Sequence, residues 1–208
     1  MATYTPVRIS GPETYRLADM HGVVRDLEWL VTLCDRILRY KARGPRPDST
    51  EMEALEAAAL IRYGRCFKRG ARTAFVLDAQ WLARLPQELQ DAHRDFEALR
   101  DKHVAHSVND WELNIPVAYL LQDEEKGRCE VSRVSVQNHR IIGQNPESID
   151  QLKRLAEGLL AMIDVEFKAE AARVLSIVKQ LPIAELEARL KDPAIRTGVR
   201  QLDNPRGR

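Results

Sequence analysis

The segment Glu97-Ala98-Leu99-Arg100-Asp101-Lys102-His103-Val104-Ala105-His106-Ser107-Val108-Asn109 concentrates the residue types that phosphate chemistry needs. Arg100 can hold a phosphate and stabilise the extra negative charge of a transition state. His103 and His106 ionise near neutrality and can accept or donate a proton. Asp101 adds a carboxylate to the same segment, and Lys102 and Asn109 are further candidates to touch a substrate. On an unbroken helix Arg100, His103 and His106 step by roughly 60° each, so Arg100 and His106 stand roughly 120° apart. They meet on one phosphate only if the helix ends there or a second subunit completes the site. The polar run Ser107-Val108-Asn109-Asp110 is compatible with a helix end. The structural alternative is a His-rich helix end that caps carbonyls and pairs with carboxylates. No metal ion or other cofactor is expected, because no Cys or clustered acidic ligand joins His93, His103 and His106 at metal-binding spacing.

A second constellation lies upstream. Arg62, Arg65, Arg69 and Arg72 are spaced to fall on one helical stripe if Gly70 does not bend the chain, and no acidic residue lies between Arg62 and Phe75. Arg62, Arg65 and Arg69 are therefore candidate phosphate contacts. The alternative is a solvated face neutralised by carboxylates of a neighbouring helix. The charge total bears on the choice. The 208 residues carry 32 Lys+Arg and 31 Asp+Glu, a net charge of +1, but 24 of the 32 basic residues are Arg. Arg favours planar, bidentate contact with carboxylate or phosphate. Such a balance excludes a general polyanion coat and leaves room for a focused phosphate site. Cys34, Cys66 and Cys129 are an odd, dispersed set. They fit reduced thiols and a cytoplasmic location better than a disulfide framework, and Cys66 and Cys129, with no adjacent His base, are expected to be buried and inert.

The elements that must position these groups follow from hydrophobic periodicity. Residues 1–12 read as a flexible leader. Leu17, Met20, Val24, Leu27, Cys34 and Ile37 keep a helical period from Glu13 to about Arg43, with Gly22 the one potential breaker. A second helix is expected over Thr50–Lys68, where small residues between Ala54 and Ile61 permit close approach of another helix. A short helical piece is expected over Ala71–Ala83, and a third long helix over Pro86–His106. Pro116–Gln122 and Arg128–Gln137 flank Asp123–Gly127 and read as a β-hairpin. A long helix to about Gln180 and a short one over Ile183–Leu190 complete the chain. The fold class is mainly all-α, an antiparallel helical bundle with a small β-hairpin insertion, in one domain over residues 13–191. Residues 192–208 read as a flexible basic tail. No apolar run approaches the roughly 20 residues of a membrane span. Phosphate-loop, dinucleotide-binding, zinc-protease and α/β-hydrolase motifs are absent.

Arg100, five intervening residues and His106, set at a helix end in a helical bundle, resemble the HEPN superfamily. The run Leu99-Arg100-Asp101-Lys102-His103-Val104-Ala105-His106-Ser107 is similar to the abortive-infection-type members, as are Arg62-Tyr63-Gly64-Arg65-Cys66-Phe67 and His93 ahead of Phe96. The likeness covers roughly Ala54–Asn109. It implies a metal-independent endoribonuclease of a defence or toxin–antitoxin system, acting as a homodimer on RNA. Arg100 would contact the scissile phosphate, His106 would serve as general acid or base as the 2′-OH attacks, and Asp101 would orient one of them. An antitoxin or other partner protein is implied as well. Many members of the superfamily are non-catalytic, so the alternative is a dimeric module that binds RNA, nucleotide or a partner protein. His103 departs from the motif as an extra candidate base. The β insertion and the long C-terminal helix are additions to a minimal bundle.

Overall fold

Apolar side chains recur every third or fourth residue near the N-terminus, and the chain there winds into one long helix. In the computed structural model, which describes residues 6–9, 11–44, 49–101, 112–123, 128–140 and 143–189, α1 spans Pro12–Lys41. Its inward stripe of Met20, Val23, Leu27, Leu30, Cys34 and Ile37 is fully buried. The partner stripe comes from α5, Pro146–Val178, through Leu152, Leu155, Leu159 and Ile163. Asn145 starts α5 by accepting a hydrogen bond from the Ser148 N–H at 2.7 Å, and Pro146 occupies its first turn. The helices α1 and α5 pack along one another. Helix α2, Ser49–Arg65, packs on α1, and α4, Gln87–Leu99, packs on α5. Each Leu or Ile so buried contributes roughly 1.5–3 kcal/mol. The mainly helical bundle with a small antiparallel sheet is thus the architecture observed.

Two expected boundaries shift. Helix α2 stops at Arg65, three residues short of Lys68. The chain then turns, with the Gly64 carbonyl accepting from the N–H groups of Phe67 and Lys68 at 3.2 Å each. The helical piece expected over 71–83 shrinks to α3, Ala79–Leu82. The cause is a buried carboxylate. Asp19 of α1 accepts from the Ala74 and Phe75 N–H groups at 2.8 and 3.4 Å, and the Leu77 N–H donates to the Cys66 carbonyl at 2.9 Å. Those donors are held in an irregular segment and are withdrawn from any helix. Helix α3 begins only after Asp78, whose side chain caps the Gln80 N–H at 3.0 Å.

The hairpin is longer than expected, with β1 over Glu112–Asp123 and β2 over Arg128–Arg140. The strands are antiparallel, pair Pro116 with Val136 and Tyr119 with Arg133, and then slip by one residue so that Leu120 faces Val131. Ser132 is the extra residue of this bulge. A final short helix, α6, spans Ile183–Arg189. Residues 192–208, read as a tail, lie outside the described residues. Among the described residues no helix is long and apolar enough to cross a membrane.

Candidate functional site

Helix α4 is amphipathic. Leu89, Ala92, His93, Phe96 and Leu99 face the core, which fixes the rotation of the helix and therefore where Arg100 emerges. Regular α-helix ends at Leu99, and Arg100 and Asp101 continue with wider, π-helical winding, a device common at functional sites. The Arg100 side chain is 29% exposed. Its stem lies across Gly64 of α2. A Cβ on that glycine would meet the Arg100 Nε at 2.9 Å and Cδ at 3.2 Å. Gly64 is thus a notch that seats the guanidinium. Arg100 Nη1 donates to Asp101 Oδ1, and Lys68 Nζ lies between Asp101 Oδ2 at 3.4 Å and Glu97 Oε1 at 2.9 Å. The hydrogen bond from Arg100, reinforced by Lys68, holds the Asp101 carboxyl below its ordinary pKa. The Glu97 hydrogen bond raises Lys68. The result is a fixed chain of charge, Glu97–Lys68–Asp101–Arg100. One edge of the guanidinium is anchored to Asp101, and its remaining donors have no hydrogen-bond partner among the described residues.

About two turns back from Arg100 on α4, His93 is 9% exposed. Its Nδ1 is 2.5 Å from the Tyr63 hydroxyl. Burial pushes the Tyr63 pKa up, so the phenol keeps its proton and donates it. Burial also lowers the His93 pKa against the opposing pull of Glu97. A neutral His93 that accepts at Nδ1 must carry its proton on Nε2. That atom is 3.8 Å from Glu97 Oε2. The rings of Phe67 and His93 lie 4.7 Å apart, and Tyr63 meets Phe67 edge-on at 5.0 Å. His93 and Glu97 both line a half-open cavity of about 750 Å³. Across it are Trp81 and Arg84, and at its edge is Arg69, whose side chain has no partner among the described residues. The cavity therefore adjoins the Arg100–Asp101 group through a shared residue, Glu97.

The basic stripe resolves differently from a helical row of phosphate ligands. Because α2 ends at Arg65, Arg69 and Arg72 lie beyond it. Arg62, Arg65 and Arg72 converge instead on Asp26 of α1, whose side chain is 2% exposed. Arg62 Nη1 is 2.7 Å from Asp26 Oδ1, Arg65 Nε is 3.3 Å from Oδ2, and Arg72 Nη2 bonds the same oxygen. Arg72 also donates to the Gly22 carbonyl at 2.8 Å, and a Cβ on Gly22 would meet its Nε at 2.8 Å. Gly22 is a second notch for an arginine and does not break α1. Three guanidiniums on one carboxylate leave a local positive excess, which the half-exposed Trp29 borders under Arg62. The carboxylates of Asp19 and Asp26, about two turns apart on the inward side of α1, are the organising residues that sequence reasoning missed. Their signal was present as acidic residues on an otherwise apolar stripe.

Of the residues singled out from the sequence, the structure brings Arg100 and Asp101 together with Lys68 and Glu97. It places Arg62 and Arg65 at Asp26 and sets Arg69 apart at the cavity. Lys102, His103, His106 and Asn109 lie outside the described residues. Cys34 and Cys66 are buried free thiols with pKa pushed up to about 12 by desolvation, as inert thiols should be, whereas Cys129, expected to be buried like Cys66, is an exposed free thiol on β2. Among family models, curated proteins and solved structures, no match to this chain is found.

Proposed function

We propose that the chain is a HEPN-type, metal-independent endoribonuclease of a defence or toxin–antitoxin system. The observation that carries the reading is the mounting of Arg100. Its guanidinium is seated in the Gly64 notch and anchored by Asp101 at the point where α4 leaves regular helix, six residues before His106. A phosphate gripped there is polarised by a cation that cannot swing away, and the anchoring is complete before substrate arrives. His106, with His103 as the second candidate, moves the proton as the RNA 2′-OH attacks the adjacent phosphorus and the 5′-oxygen leaves. The reaction requires the 2′-OH, so DNA is not cut. RNA is the substrate, a second copy of the chain is the expected companion, and an antitoxin or other protein is the expected regulator. The free cysteines fit a cytoplasmic location.

The test is cleavage of RNA in the presence of EDTA, with analysis of the product ends. Wild-type protein should leave 2′,3′-cyclic phosphates. Arg100→Ala and His106→Ala should each lower the rate by about 10²–10⁴-fold, the usual loss for one phosphate clamp or one general acid–base group. Unchanged cleavage in both variants would remove the reading.

A further inference from the structure

Three polar atoms stand in a row on the wall of the cavity beside α4. His93 and Glu97, one helical turn apart, both line it. The Tyr63 hydroxyl occupies His93 Nδ1, so Nε2 carries the ring proton and is a fixed donor. Glu97 Oε2 lies 3.8 Å from that nitrogen, too far for a hydrogen bond. Among the described residues neither atom has another partner. The third atom is Glu97 Oε1, which Lys68 Nζ holds at 2.9 Å and which keeps a second lone pair. The row reads donor, acceptor, acceptor. Beside it is Phe67, which lines the same cavity with its ring 4.7 Å from that of His93. A cavity of about 750 Å³ has room for a nucleotide. Two cations at its rim, Arg16 and Arg84, are held by Glu166 at 3.5 and 3.4 Å. Arg69, exposed in the segment after α2, is left for an anion.

We propose that the cavity takes a guanine of single-stranded RNA, with His93 Nε2 donating to O6 and Glu97 accepting from N1–H and the N2 amino group. Guanine is the base whose pairing edge reads acceptor, donor, donor. Uracil and cytosine each turn an acceptor toward a carboxylate oxygen, and adenine leaves one oxygen unmatched. Phe67 supplies ring surface for the purine, and Arg69 meets a neighbouring phosphate. In a duplex the same edge is already paired, so the base must come from a single strand. The proposal rests on the ribonuclease reading for one point, the placing of the scissile phosphate at Arg100. Glu97 and Arg100 are three residues apart at the end of α4, with Cβ atoms roughly 5–6 Å apart. A nucleotide with its base in the cavity thus keeps its phosphate beside the Arg100 guanidinium. Lys68 ties the two ends together, since it holds Glu97 on one side and Asp101 on the other. Cleavage then falls next to guanine.

Fluorescence anisotropy with 2′-fluoro oligomers tests binding apart from cleavage, because these lack the attacking hydroxyl. The probes are uridine octamers with one central guanine, inosine, adenine or cytosine, and the plain uridine octamer is the reference. The guanine probe should bind tighter than the reference by roughly 5- to 150-fold, the usual worth of a two-pronged base contact. Inosine keeps O6 and N1–H but lacks the N2 amino group, so it should fall between. Glu97→Gln should remove the difference between guanine and uridine probes. Arg69→Gln should weaken every probe alike and lower the salt slope by about one. Free 5′-GMP should compete more weakly than the unlabelled guanine octamer, which also engages Arg69 and Arg100. A guanine probe no better than uridine, a preference that survives Glu97→Gln, or 5′-GMP competing as well as the octamer would each overturn the proposal. Guanine preference in a chain that cuts no RNA would keep the pocket and remove the ribonuclease reading; cleavage without guanine preference would do the opposite.

Discussion

Two glycines show how the absence of one carbon can position a charge. Gly64 and Gly22 sit inside helices, where glycine costs roughly 1 kcal/mol against alanine. Each accepts an arginine stem into the space a Cβ would fill. The two should answer the same substitution differently. In Gly64→Ala the displaced group is the stem of Arg100, a part-exposed side chain whose partner Asp101 is also part-exposed, so the helix gain of up to about 1 kcal/mol should largely offset the displacement in urea unfolding. RNA cleavage should nevertheless fall, because the guanidinium loses its seat. In Gly22→Ala the displaced group is Arg72, which is only 12% exposed and bound to Asp26, so stability should fall. His93 supplies a third residue-scale expectation. Unfolded, it titrates near 6.5; folded, burial holds its pKa lower. Between those values the unfolded chain binds a proton that the folded chain does not, so stability falls as pH drops through about 6.5. Thermal unfolding from about pH 7.5 to pH 5 should show this slope. His93→Gln, which retains an acceptor for Tyr63 and cannot ionise in this range, should flatten it.

At the scale of elements, α1 does more than bury an apolar stripe. Asp19 and Asp26 interrupt that stripe, and each holds part of the chain that follows α2. Replacing Asp26 by Asn would leave three guanidiniums around a neutral amide, two of them partly buried. Loss of one partner from a buried ion pair costs about 3 kcal/mol or more. Asp26→Asn should therefore lower the urea midpoint, while Arg65→Gln, at the most exposed of the three arginines, should change it little. These contacts also explain which elements could be read from the sequence. The positions of α1, α4 and α5 and the existence of the hairpin followed from periodicity, because their apolar patterns match what they bury. The segment after Arg65 did not. Its local sequence permits helix, and the groups that override that preference lie some fifty residues earlier in the chain. The neutralisation of the arginine stripe was visible only as a possibility, since the partner carboxylate belongs to another helix. Arg100 and Asp101 were legible as chemistry. Their supports at Gly64 and Lys68 were not, because Gly64 comes from α2 and Lys68 from the turn that follows it.

For the molecule as a whole, the helical body and the hairpin follow different rules. In the body, most large apolar side chains are buried and several charges are paired close to the core. In the hairpin, Leu120, Val131, Val134 and Val136 stand exposed. The hairpin lies in the connection between α4 and α5, two helices that pack on each other directly. The polymer cost of such a connection grows only with the logarithm of its length, about 0.6 kcal/mol for each doubling. The excursion is thus almost free of entropic penalty for the bundle, and the bundle is equally indifferent to what the excursion contains. A chain built this way can lengthen, recharge or remodel its outboard strands while the seat of Arg100 stays where α2 and α4 put it.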